Sequence, residues 1–112
     1  MQRCDPVTRL AVEDRQEGRC WLCGQRRRLD MHRRLQGSLG GRYVLGNLIG
    51  ACRPHHNAIH DRIEWALKRG WLVESYEDPE QVPLWTVDGW VRILDTGDVI
   101  RARQPDPAGS AG

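Results

Sequence analysis

Two runs decide how this chain folds: Cys20-Trp21-Leu22-Cys23-Gly24 and Cys52-Arg53-Pro54-His55-His56-Asn57-Ala58-Ile59-His60. The stretch from Cys20 to His60 holds three of the four cysteines and all four histidines of a 112-residue chain. A C-x-x-C pair is followed, after 28 intervening residues, by a C-x-x-H pair. That two-pair spacing suits a tetrahedral structural zinc site, with two ligands on each turn gripping one ion. It predicts Cys20, Cys23, Cys52 and His55 as one ligand set, with room between the pairs for a β-hairpin. The competing reading is a set of buried free thiols beside a surface histidine. Zinc binding of this kind supplies about 10–16 kcal/mol of apparent folding free energy. A typical domain has a net stability of only ~5–15 kcal/mol, so loss of Cys20 is expected to unfold the module. Cys4 is left as a lone thiol.

Working outward, Cys20 to Gly24 reads as a tight knuckle, with Gly24 supplying an unusual backbone angle. Arg26-Arg27-Arg28 is a polar loop. Leu29 to Arg34 alternates as a strand does. Gln36 to Arg42, with Gly37, Gly40 and Gly41, is a flexible loop. Leu45 to Ala51 is the returning strand. Arg53-Pro54 starts a helix with Pro in its first turn. Its buried stripe is Ile59, Ile63, Ala66 and Leu67, and Gly70 stops it. His56 and His60, four apart, share one helix face. His55 lies about 100° round from His56, toward the zinc. His32 sits on the strand that the fold returns opposite this helix. Asn47 is placed to pin the intervening loop through backbone hydrogen bonds.

Upstream, Asp5-Pro6 caps a helix over residues 6–17, with Val7, Leu10 and Ala11 on one face and Gly18 at its end. Downstream of Gly70 the pattern has period two. Trp71-Leu72-Val73 is a short strand or cap, and Glu77 to Glu80 is a loop. Leu84–Val87 and Trp90–Leu94 flank an Asp88-Gly89 hairpin turn, and Val99-Ile100 is a candidate third strand. Residues 104–112 are Pro, Gly, Ala and Ser rich, and are expected to be disordered.

The chain has no Phe and five Trp, so Trp21, Trp65, Trp71, Trp85 and Trp90 must supply the aromatic core. It has no signal peptide and no run able to span a bilayer. It therefore reads as a soluble cytoplasmic protein, with no membrane partner. In a reducing compartment C-x-x-C indicates metal before disulfide. The net charge of +2 hides a split. Residues 1–72 carry 14 Lys/Arg against 7 Asp/Glu, or +7, and residues 73–112 carry 3 against 8, or −5. The basic part holds the metal-type residues, so either nucleic acid is its partner or the charge is only a solvated surface.

Taken as one pattern, Cys20-x-x-Cys23-Gly24, Leu29-Asp30-Met31-His32, Gly40-Gly41, Asn47-Leu48-Ile49, Cys52-Arg53-Pro54-His55-His56 and His60 resemble the HNH endonucleases. The closest likeness is to the small zinc-stabilised forms encoded by phages and actinobacteria. The likeness covers roughly residues 19–72. It implies an α+β fold: a ββα-metal (His-Me finger) core with a structural zinc knuckle pair over 19–72. An N-terminal helix (1–18), an acidic β-hairpin extension (73–103) and the tail (104–112) would surround that core. The implied activity is metal-dependent hydrolysis of DNA phosphodiesters, as in a nicking enzyme of a bacterial host cell linked to phage DNA packaging, with a terminase as partner.

By position, the family's catalytic residues fall on His32, Asn47, His56 and His60. Of these, His32, His56 and His60 would hold a divalent ion (Mg, Mn, Ni or Zn), and Asn47 would orient the base. Arg33, Arg34, Arg42 and Arg53, with Arg26 to Arg28, would contact phosphates. Two departures stand out. The family usually has Cys where His55 stands. Its strand commonly reads Asp-His or His-His, ligand then base, where this chain reads His32-Arg33. Arg cannot deprotonate water. Either the strand shifts by one residue, making His32 the base and Asp30 a metal helper, or His32 is a ligand and catalysis is impaired. The alternative function is a catalytically impaired, zinc-stabilised DNA-binding or terminase-associated adaptor module.

Overall fold

Helix α1 (Pro6–Arg15) begins where Asp5 and Pro6 predict. The Asp5 carboxylate accepts the backbone N–H groups of Val7 and Thr8 at 2.8 and 3.1 Å, and Pro6 fills the first turn. The computed structural model describes residues 4–105. The expected buried stripe of α1 is corrected: Val7 and Leu10 are exposed, while Val12 and Gln16 are buried. The reason lies in what the helix docks against. Gln16 Oε1 accepts the Gly50 N–H and Gln16 Nε2 donates to the Gly50 carbonyl, both at 2.8 Å. An apolar side chain could not satisfy those two backbone groups.

Strands β1 (Leu29–Arg33) and β2 (Leu48–Cys52) pair antiparallel, with His32 opposite Ile49 and Leu29 opposite Cys52. The link between them is more structured than a flexible loop. It contains 3₁₀ turns at Gly37–Leu39 and Leu45–Asn47. Helix α2 (Arg53–Asp61) follows β2 directly and packs on the β1–β2 pair, burying Ile59. The single helix expected up to Gly70 is instead broken at Arg62 (φ −131°, ψ 68°), and α3 (Ile63–Lys68) continues from there. The break turns Ile63 to solvent while Ala66 stays buried. Neither Gly nor Pro stands at the break, so the sequence carries no sign of it.

Trp71, Leu72 and Val73 are buried in irregular backbone, with the Val73 N–H donating to the Arg34 carbonyl at 3.1 Å. A three-stranded antiparallel sheet closes the chain, formed by β3 (Leu84–Thr86), β4 (Gly89–Ile93) and β5 (Val99–Arg101). Its first turn differs from the Asp-Gly turn expected. Thr86 pairs with Gly89, so Val87 and Asp88 make the turn and Gly89 (φ 101°) follows it. Leu84, Val91 and Ile93 join Trp21, Leu29, Ile49, Ile59 and Trp71 in one core. The acidic extension therefore caps the basic half. Trp85 is exposed and Trp90 half-buried, the two in tilted contact on the outer face with centroids 5.7 Å apart. Only Trp21 and Trp71 are fully interior. The expected disorder of the tail falls mainly on residues 106–112, outside the described residues. No helix among the described residues is long and apolar enough to cross a membrane.

Candidate metal centres

The Cys20 knuckle and the start of α2 meet at one point. The ligand atoms of Cys20, Cys23, Cys52 and His55 all lie within 4.8 Å of one another. Cys23 Sγ is 3.8 Å from Cys52 Sγ, and Cys52 Sγ is 3.3 Å from His55 Nδ1. Two sulfurs each about 2.3 Å from a tetrahedral ion stand about 3.8 Å apart, so the spacing fits a shared cation. The electrostatics fit as well. Burial works against a thiolate at Cys20, yet the backbone amides of Cys52, Leu22 and Cys23 turned toward its sulfur hold its pKa below the usual thiol value. Cys23 is pushed up to about 11, first by burial and then by the Cys20 sulfur beside it. A cation is what lets such a set of thiols ionise together. Gly24 (φ 80°) makes the turn that closes the knuckle, its N–H donating to the Cys20 carbonyl at 2.8 Å.

A second cluster lies between β1 and α2. His32, His56 and His60 bring one nitrogen each within 4.8 Å of the others, with ring centroids 5.0–5.7 Å apart. His56 Nε2 and His60 Nε2 are 3.4 Å apart. That matches two imidazole nitrogens about 2.1 Å from one ion. Two of the rings are tied by hydrogen bonds outside the cluster. His32 Nε2 lies 2.6 Å from the Trp71 carbonyl, so it carries the proton and Nδ1 is left with the lone pair. His56 Nδ1 lies 3.1 Å from Asp30 Oδ2, leaving Nε2 for the cluster. Such outer partners fix the ring of a ligating histidine. Burial lowers the pKa of His32 to about 4, opposed by the bond to Trp71 and assisted by His56 and His60. His32 is therefore neutral at neutral pH, as a metal ligand must be. Burial would raise the Asp30 pKa, but the bonds from His56 and Arg53 outweigh it and lower it.

The three rings open on a cleft of about 590 Å³ whose wall includes Arg33, Gln36, Ser38 and Tyr43. Arg33 lies over the Tyr43 ring at 4.2 Å. The other arginines expected to contact DNA are scattered. Arg53 is exposed but ion-paired with Asp30 at 2.8 Å. Arg42 lines a different cleft, beside Asp78, Glu80 and Asp95. Arg34 is a correction: it is fully buried and donates to the carbonyls of Gly70, Pro79 and Val82 at 2.6–2.8 Å. Burial works against its charge, and those carbonyls hold it. It ties the segments 46, 70 and 79–82 together and offers nothing to a phosphate.

Asn47 is buried and pins the loop as expected. Its Oδ1 accepts the Leu35 N–H at 2.7 Å, and its Nδ2 donates to the carbonyls of Leu35 and Arg42. It has no hydrogen bond to the His32 ring among the described residues. The sequence offers Asp30 only as a metal helper, and nothing in it marks the hydrogen bond that Asp30 makes with His56. Nothing in the side-chain pattern marks the Trp71 carbonyl.

Fold and clusters together define a small α+β domain with two sites able to hold a metal ion, one Cys₃His and one three-His. No family model, curated protein or solved structure matches this chain.

Proposed function

We propose that this chain is a metal-dependent DNA endonuclease of the HNH type, with β1, β2 and α2 as its ββα-metal core and zinc in the Cys₃His cluster. The observation that carries the reading is the three-His cluster. Three imidazoles from a strand and the facing helix converge on an open cleft, and two are held by hydrogen bonds to Trp71 and Asp30. A four-ligand set like the Cys₃His cluster suits structure, whereas a three-ligand set with an open position suits chemistry. A divalent ion bound there supplies Lewis-acid stabilisation of the scissile phosphate and the leaving 3′ oxygen.

The residues of the chain do the rest. Asp30 holds His56, and the Trp71 carbonyl holds His32. Asn47 fixes the loop that forms the far wall of the cleft. Of the two roles open to His32, the geometry favours ligand over base. Its ring packs edge-on against both neighbours, and a pKa near 4 is far from the value near 7 that suits a general base. Imidazole donors favour transition metals over Mg²⁺.

The test is cleavage of supercoiled plasmid with Mg²⁺, Mn²⁺, Ni²⁺ or Zn²⁺, with EDTA and His56→Ala as controls. Nicked or linear DNA that requires both metal and His56 is the expected result. The second reading, a DNA-binding or terminase-associated adaptor module without cleavage, is favoured by Arg33 standing where the family's base stands. Intact plasmid with every metal, from zinc-loaded folded protein that binds DNA, would replace the first reading by the second.

A further inference from the structure

The three thiols of the Cys₃His cluster are unequally placed. Cys20 and Cys52 are fully buried, whereas Cys23 is half-buried and so within reach of a small solute. The backbone amides of Cys52, Leu22 and Cys23 face the Cys20 sulfur and hold it in place. Cys23 Sγ lies 3.8 Å from Cys52 Sγ, so that a shift of roughly 2 Å brings the two to bonding distance. Cys23 belongs to the knuckle and Cys52 to the end of β2, so a bond between them would join two separate parts of the chain. The knuckle also holds the turn between β3 and β4. The Trp21 carbonyl accepts the Val87 N–H at 2.9 Å, and Arg19 pairs with Asp88 at 3.2 Å. Whatever loosens the knuckle therefore reaches the terminal sheet.

We propose that Cys23 and Cys52 are a redox pair, which a hydroperoxide such as hydrogen peroxide oxidises to a disulfide with release of zinc from the cluster. This goes beyond the endonuclease reading and does not depend on it; only the zinc step rests on the zinc assigned above. The Cys23 thiolate attacks one peroxide oxygen, the O–O bond breaks, and Cys23 becomes a sulfenic acid as hydroxide leaves. The Cys52 thiolate then attacks the Cys23 sulfur, the S–O bond breaks, and a second hydroxide leaves. Two electrons pass from the two sulfurs to the peroxide. Cys20 and His55 remain, and two ligands do not complete the tetrahedral set of a structural zinc. The disulfide ties Cys23 to Cys52 but contributes far less to folding than the zinc it displaces. The knuckle loosens, and with it the contacts of Arg19 and Trp21 to the turn at Val87 and Asp88. The rival closure is Cys20 with Cys23, inside the knuckle.

The experiment treats the zinc-loaded chain with hydrogen peroxide, in a Cys4→Ser background that removes the thiol outside the cluster. Zinc release to a chromophoric chelator, disulfide mapping by mass spectrometry and near-ultraviolet circular dichroism are read in parallel. The expected result is a Cys23–Cys52 bridge with Cys20 reduced, loss of about one zinc per chain, and a fall in the tryptophan signal. Dithiothreitol with added zinc should restore both. Cys23→His keeps four zinc ligands but has no thiol at that position, and should release zinc about tenfold more slowly. A Cys20–Cys23 bridge would overturn the pair. So would thiols that stay reduced at a peroxide level that oxidises free cysteine, or release from Cys23→His as fast as from its parent. The disulfide map of the parent protein decides the pairing even where Cys23→His fails to fold. A chain that holds no zinc yet forms the Cys23–Cys52 bridge would sustain the redox pair while the zinc reading fails. Plasmid cleavage, present or absent, bears on neither.

Discussion

Arg33 and Arg34 are adjacent and chemically identical, yet they have opposite fates. One faces the cleft, and the other is buried among backbone carbonyls. Strand alternation carries the difference, since Arg34 follows His32 onto the inner face at a spacing of two. Replacing Arg34 by Met should remove a buried cation and strand its carbonyl acceptors. The expected loss is about 3–5 kcal/mol in urea unfolding of the zinc-loaded protein. A loss under about 1 kcal/mol would mean that water or relaxation satisfies them. His32 makes a second prediction at this scale. Its pKa falls from 6.5 to about 4 on folding because it is buried. Between those values the unfolded ring binds a proton that the folded ring refuses, so protons favour unfolding. The contribution is complete above pH 6.5, is lost as the pH falls toward 4, and is of order 3 kcal/mol. Urea midpoints from pH 7.5 to 4.5 should fall more steeply in wild type than in His32→Asn, and parallel curves would refute this assignment.

Between elements, the contacts that matter join β1 to α2 and brace the loop between β1 and β2. Both were half legible. The Cys and His spacing singles out Cys20, Cys23, Cys52 and His55, which do cluster, while alternation and Pro54 mark the strands and the start of the helix. The helix break at Arg62 and the Gln16–Gly50 docking of α1 were not legible. The docking answers to tertiary hydrogen bonding, and neither feature leaves a mark in periodicity. Asp30 is the bridge from strand to helix, bonding His56 on one side and Arg53 on the other. Asp30→Asn keeps the shape but loses the charge that orients the imidazole. It should lower affinity for Ni²⁺ or Zn²⁺ at the three-His cluster about 10–100-fold, while the Cys₃His ion stays. Competition against a chromophoric chelator would measure both, and unchanged affinity would show that Asp30 serves Arg53 alone. Asn47→Ala removes three hydrogen bonds from the loop. It should cost about 2–3 kcal/mol, read as a lower urea midpoint with zinc still bound. If stability holds, the Leu35–Arg42 loop is braced by its own turns.

Across the whole molecule, the two candidate metal sites stand at different depths in the fold. The core is small, and the fully interior aromatic side chains are Trp21 and Trp71. Trp21 sits inside the Cys20 knuckle, and its indole N–H reaches Asp88 in the turn between β3 and β4 at 3.2 Å. Trp71 reaches the same sheet through the Trp85 carbonyl at 2.7 Å. The knuckle therefore holds one end of the terminal sheet as well as the start of α2. An ion held there would have four protein ligands, three of them thiols, while one in the cleft would have three imidazoles and an open position. A graded chelator should strip the cleft ion first and leave the fold intact, because β1 and α2 remain bound through Ile59 and the Asp30–His56 contact. Removal of the second ion should collapse the near-ultraviolet signal of both tryptophans and most of the helical signal, since binding of this kind contributes about 10–16 kcal/mol. Metal content after each chelator step, set beside circular dichroism of the same sample, would decide the matter. Two metal-loss steps with unfolding at the second would fit this division. Release of both ions together with the fold would mean that the three-His ion is structural too, and its role as a reaction centre would have to be given up.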